Sequence, residues 1–182
     1  MANTANQYYR LRSGLTILPS HQRNIDDILS KLVQKVPARF VLLTDVTGQI
    51  ISVRGEQGKI NVVALGSLVA GDLAASQEIA RLMGEYEDFQ MILREGQLTH
   101  TFIVEAGRYF ALMVQVSQEV PLGWARMLIQ DASKQLPAVM EKELDKQDTA
   151  FSQKMEAETN QVLESENLSD LFDDALDDLW SE

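Results

Sequence analysis

"INVVALGSLVAGDLAASQEIARLM" runs from Ile60 to Met83. It is too long and too poor in turn residues for a strand, and is read as a helix. Across residues 60–77 its only charged side chain is Asp72. A helix lying on a protein surface shows charge on its outer side at every turn, and this one does not. It also holds Ala64, Gly66, Ser67, Ala70, Gly71, Ala74 and Ala75. Each glycine costs about 1 kcal/mol relative to alanine inside a helix, and small residues offset that cost by admitting another backbone. One side of such a helix packs on the protein's own sheet. The second side is expected to meet a copy of the same chain, with Ala64, Ser67, Leu68, Ala70, Gly71, Ala74 and Ala75 at the contact of a two-fold homodimer. A membrane span is disfavoured, because Asp72 near its middle would cost about 2.5–3.5 kcal/mol.

On either side the pattern alternates between strands and helices. Upstream, Ile25, Ile28, Leu29, Leu32, Val33 and Val36 form one helical stripe that Pro37 ends. "RFVLLTDVTGQIISVRG" (Arg39–Gly55) then reads as two strands about the turn Asp45-Val46-Thr47-Gly48, where Asp45 bonds back to the turn amides and Gly48 gives backbone freedom. Downstream, "DFQMILREG", "LTHTFIVEAG" and "RYFALMVQV" are three strands with tight links. "PLGWARMLIQDASKQL" is a third helix, with Leu122, Ala125, Met127, Leu128, Ala132 and Leu136 as expected core contacts and Pro137 breaking or kinking it.

The order α-β-β-α-β-β-β-α, with tight turns between neighbouring strands, predicts an α+β sandwich on a five-stranded antiparallel sheet. The expected organisation is a flexible segment over 1–19 with Tyr8, Tyr9, Leu11, Leu15, Ile17 and Leu18 as candidate anchoring points, the folded domain over 20–137, a polar helical linker over 138–166 and an acidic motif over 167–182. Residues 1–140 hold 13 Lys+Arg and 13 Asp+Glu, whereas residues 141–182 hold 3 lysines and 14 acids, so the whole net charge of −11 lies at the C-terminal end. A basic footprint for nucleic acid or anionic lipid is missing. Leu168, Leu171, Phe172, Ala175, Leu176 and Leu179 recur at helical spacing, opposite Asp170, Asp173, Asp174, Asp177 and Asp178. A lone helix of this length is marginal in water and forms fully only when its apolar face is covered. Leu168, Leu171, Phe172, Leu176, Leu179 and Trp180 are therefore expected to enter a partner's hydrophobic groove, with Asp173 and Asp177 meeting its basic rim.

Catalytic and metal signatures are missing from the sequence. There is no cysteine. "GEQGKI" lacks the spacing and the hydroxyl residue of a phosphate-binding loop, and is read as a surface turn. His21 and His100, the two histidines, have no ligand spacing and are read as ordinary surface or strand residues. "DDALDD" lacks the glycine-bearing loop of a calcium site. Arg126 is read as part of a packed helix rather than as a catalytic arginine finger. No cofactor, metal or catalytic residue is expected, and the N-terminus lacks a signal-peptide core, which leaves the cytoplasm as the expected compartment.

The segments "FVLLTDVTGQII", "ALGSLVAGDLAASQEIARL", "ALMVQV" and "PLGWARMLIQ", with the element order, resemble the Roadblock (dynein light chain) family over roughly residues 20–136. The resemblance extends to its bacterial MglB-like branch. It implies a dimer in which the second helices pair and the third strands join into one sheet. It also implies a non-enzymatic platform that binds a small Ras-like GTPase, as activator or co-regulator. In that branch a helical C-terminal extension also contacts the GTPase; here the tail is longer and more acidic. Two other functions remain open: an adaptor that recruits a non-GTPase assembly through its tail, and a sensor with a ligand pocket between sheet and helices.

Overall fold

The computed structural model describes residues 9–84 and 90–141. A short hairpin, β1 (Tyr9–Arg10) and β2 (Thr16–Ile17), leads into helix α1 (Pro19–Lys35). Strands β3 (Ala38–Asp45) and β4 (Ile50–Gly55) precede helix α2 (Val62–Met83). Strands β5 (Met91–Glu95), β6 (Thr99–Ala106) and β7 (Phe110–Ser117) follow, and helix α3 covers residues 122–141. The main sheet has the order β4-β3-β7-β6-β5, antiparallel throughout, as expected for the α+β sandwich.

Alternation along the strands divides the core into two layers. Val41, Leu43, Phe102, Val104, Leu112 and Val114 face α1 and α3, which cover them with Ile25, Leu29, Leu32, Ala125, Ile129 and Leu136. Phe40, Leu42, Ile103, Ala111 and Met113 face the other way, toward Val69 and Leu73 of α2. Two helices thus cover one side of the sheet and a single helix the other.

The Asp45 turn forms as the sequence predicts. Asp45 is fully buried, and its Oδ1 accepts from Thr47 N–H at 3.0 Å, Thr47 Oγ1 at 2.7 Å and Gln49 N–H at 2.8 Å. Its Oδ2 accepts from Ser13 N–H at 3.4 Å, which ties the N-terminal hairpin to the turn. Residues 9–18 form an ordered hairpin in place of the flexible segment expected there, and the candidate anchors Leu11 and Ile17 do lie in the core, while Arg12 N–H donates to Gln49 Oε1 at 2.8 Å. The hydrogen bonds to its charged form outweigh desolvation and hold the Asp45 carboxyl below its usual range.

Gly48 and Gly66 bring α2 against the same turn. A Cβ on Gly66 would lie 2.6 Å from the Gly48 carbonyl oxygen, and one on Gly48 would lie 2.7 Å from Ser67 Cα. Gly48 also has φ of +85°, which glycine alone adopts without cost. The helix is capped at both ends, by the Asn61 side chain accepting from Ala64 N–H at 3.1 Å and by left-handed Gly84.

Helix α3 differs from expectation in two places. It continues through Pro137 to residue 141, so the proline does not break it. The proline ring lies on the β6–β7 turn, where a Cβ on Gly107 would come within 2.6 Å of Pro137 Cβ. Met127, expected in the core, is exposed, and Ile129 is buried in its place. Ala125, Ile129, Ala132 and Leu136 share one face at three- and four-residue steps, and Met127 falls nearly opposite it. The linker and the tail, including Leu168, Leu171, Phe172, Leu176, Leu179, Trp180, Asp173 and Asp177, lie outside the described residues apart from the start of the linker in α3.

Two outcomes test this packing. Asp45→Ala should destabilise the domain by about 2–3 kcal/mol, because three turn donors and the Ser13 amide lose a buried acceptor. With the folded pKa below the unfolded one, the carboxylate's contribution is complete above the ordinary value of about 4 and is lost as pH falls through the folded pKa. Urea melts at descending pH should show this loss in the parent and not in Asp45→Ala. Separately, Gly66→Ala should lower stability by about 2–4 kcal/mol despite alanine's better helix propensity, since the turn backbone cannot yield as a side chain would. An unchanged melting temperature would contradict that close contact.

Candidate interaction surface

The sheet covers α2 with the positions at Val69, Ala70 and Leu73, and the helix has nothing over its opposite side among the described residues. By length and composition α2 could cross a membrane, yet in the fold it is a sheet-packing helix with one open face. That face carries Val63 and Leu68, each 69 % exposed, and Ile79, Leu82 and Met83 beyond them. Between the large residues sit Ala64, Ser67, Gly71, Ala74 and Ala75, all exposed. A Cβ on Gly71 would meet nothing within 4 Å, so its missing side chain is not explained by the protomer's own packing.

Six of the seven residues expected at a self-contact therefore share the open face. Ala70 does not: it is 8 % exposed and turned toward the sheet side. Leu73 follows Ala70 by a step of three and Ala70 follows Gly66 by a step of four, so the three fall on the buried stripe. The smallness of Gly66 is likewise explained within the protomer, by the Gly48 turn. What reads in the sequence as a single stripe of small residues is two stripes with different neighbours.

Strand β5 flanks the open face. It lies at the edge of the sheet, paired only to β6, from Met91 opposite Val104 to Glu95 opposite His100. Ile92 belongs to the core layer under α2, so Arg94, two residues on, projects to the same side. Arg94 Nη2 donates to Asp72 Oδ1 at 2.8 Å, joining the edge strand to the middle of the helix. Asp72 Oδ2 is buried and has no hydrogen-bond partner among the described residues. This ion pair was not legible beforehand, because nothing in the spacing of Asp72 and Arg94 brings them together.

The remaining candidates resolve in less active ways. His100 is a buried residue of β6. His21 is buried at the start of α1 rather than at the surface, and its Nδ1 accepts from Leu18 N–H at 3.3 Å. Among the described residues no three His, Asp or Glu side chains gather as a metal site. Arg126 is exposed on α3, across the sheet from α2. A cleft of about 380 Å³ opens at the turn end of the sheet, lined by Ser13, Gly14, Leu15, Val46, Arg108 and Tyr109; it lies among loops rather than between sheet and helices.

Comparison with solved structures gives the fold its relatives. The chain is 32 % identical to Myxococcus xanthus MglB, covering 65 % of this chain and 95 % of that one, with a TM-score of 0.61. The gliding protein MglB of Thermus thermophilus is 26 % identical, over 69 % of this chain and 95 % of that one, with a TM-score of 0.62. A Roadblock/LC7 domain from Streptomyces avermitilis shares the fold at 22 % identity and a TM-score of 0.55, over 62 % of this chain and 94 % of that one. No protein-family model and no curated sequence matches the chain. A relative this similar, spanned almost from end to end, decides the matter: the chain belongs to the Roadblock family, in its MglB-like branch.

Proposed function

We propose that the chain is a cytoplasmic, non-enzymatic homodimeric regulator that binds a small Ras-like GTPase. The observation that carries this reading is the uncovered apolar face of α2, lying beside the open edge of β5 in an MglB-like fold. An exposed apolar stripe on a helix of this length marks a protein contact. Pairing two α2 helices and two β5 edges about one axis would cover both at once. The dimer then acts by shape, holding the GTPase switch loops in one arrangement. Arg126 is not part of the α2 face, since it stands on the far side of the sheet.

The tail supplies a second contact in this reading. Leu168, Leu171, Phe172, Leu176, Leu179 and Trp180 enter a groove of the partner, while Asp173 and Asp177 meet its basic rim. Each dimer would present two such tails, which raises their effective concentration at the partner.

Dimerisation is tested by Leu68→Asp, which should leave helix content unchanged and weaken association by about 30-fold or more in sedimentation velocity. Gly71→Ala separates the two stripes: it should raise protomer stability by about 1 kcal/mol and yet weaken the dimer. If both variants dimerise as the parent does, the α2 face is not the contact. Partner choice is tested by capture from lysate with the full chain and with a chain ending at residue 159, each under GDP and a GTP analogue. A Ras-like GTPase should be enriched about fivefold or more in one nucleotide state and lost in part with the tail. Equal recovery under both nucleotides, or capture of no small GTPase, would rule out the regulatory reading and favour an adaptor.

A further inference from the structure

The centre of α2 has a feature that apolar helix pairing alone does not call for. The midpoint of Val62–Met83 falls between Asp72 and Leu73. Around it the open face is narrow, with Gly71, Ala74 and Ala75; Leu68 stands one turn before them, and Val63, Ile79, Leu82 and Met83 broaden the face toward the ends. A helix crossing its own two-fold mate comes closest where its side chains are smallest, and closing a two-fold contact near the midpoint lets both whole faces cover each other. This places the axis beside Gly71, where an added Cβ would meet nothing. Asp72 is the next residue, and its Arg94 partner is the fourth of the five residues of the edge strand, next to its central Leu93.

We propose that Asp72 and Arg94 form a charged seam at the two-fold axis of the homodimer, which selects this chain as its own partner. The proposal rests on the homodimer reading above. In the protomer, Asp72 is 24 % and Arg94 60 % exposed. One Asp72 oxygen accepts from Arg94 and the other is already buried within the protomer, so the Arg94 guanidinium is the larger part of the pair left for a second copy to meet. A second copy laid across α2 removes more water from both groups. Such a pair persists only if its remaining hydrogen-bonding capacity is met. At the axis each Arg94 reaches the Asp72 of its own copy and that of the other, so two acids and two arginines alternate around a ring. A heterologous apolar helix offers no such complement and would strand an acid and an arginine in a dry contact. The seam thus costs the dimer some stability and confers choice of partner and register, as a single polar residue does in a coiled coil.

Charge exchange distinguishes this role from an ion pair that merely braces one protomer. The doubly exchanged chain, Asp72→Arg with Arg94→Asp, should form a homodimer within about threefold of the parent affinity. Mixed with the parent, it places like charges next to each other twice around the ring. Subunit exchange, followed by fluorescence transfer between labelled chains, should then yield mixed dimers at about a tenth or less of the random share. Random mixing between two intact homodimers would overturn the seam and leave the homodimer standing. A parent chain that stays monomeric would overturn both. Should the exchanged chain fail to fold, Asp72→Asn with Arg94→Gln keeps the shape without the charge. Its dimer affinity should lose the dependence on salt that the parent shows across about 0.05–0.5 M. Equal salt dependence in the two would overturn the proposal.

Discussion

The backbone contact between Gly66 and the Gly48 carbonyl sets the position of α2, and through it what this protein presents to others. A methyl group at either position would hold the helix off the sheet. With both glycines in place, Val69 and Leu73 reach the layer formed by Phe40, Leu42, Ile103 and Met113. The same seating rotates Ala70 inward and leaves Leu68 and Gly71 outward. The turn that receives the helix is held by a buried carboxylate, which also anchors the N-terminal hairpin. One short segment therefore fixes the entry of the chain, the first pair of strands and the orientation of the exposed helix face.

What the sequence disclosed was local. The Asp45–Gly48 turn was readable because the residues that make it adjoin one another, α1 because its apolar stripe repeats over several turns, and α2 because so long a run without turn residues fits no other element. Ala64, Ser67, Leu68, Gly71, Ala74 and Ala75 were placed on the open face by the same logic. Ala70 was misplaced because composition marks a residue as small without saying which wall it faces. The hairpin at Tyr9–Ile17 was missed since its two-residue strands carry no period, although Leu11 and Ile17 stood out in the sequence as anchoring points.

Other features depended on partners distant in the chain. Pro137 stands at a position that usually ends a helix, and the helix continues over a glycine turn contributed by β6 and β7. Met127 was expected in the core, and Ile129 was left out of it, because the third helix was read for apolar content rather than for one strict face. Asp72 drew notice as a lone charge, but its bond to Arg94 could not be read from either neighbourhood. It joins a helix to an edge strand that lies on the far side of a connecting segment. The apolar and acidic tail remains a matter of sequence alone, since it falls outside the described residues.

The strand order has a consequence for how the molecule assembles. Strands β3 and β4 form one local hairpin, and β5, β6 and β7 form a local meander. Only the β3–β7 ladder, from Ala38 opposite Val116 to Asp45 opposite Phe110, joins strands of the main sheet far apart in sequence. Each local unit can form at small loop-closure cost, and the long α2 connection must be closed before the two meet. The central ladder is then the slow, cooperative event of folding. Until it zips, the apolar flanks of β3 and β7 stand as unpaired edges, the state in which a newly made chain is most exposed to misassociation.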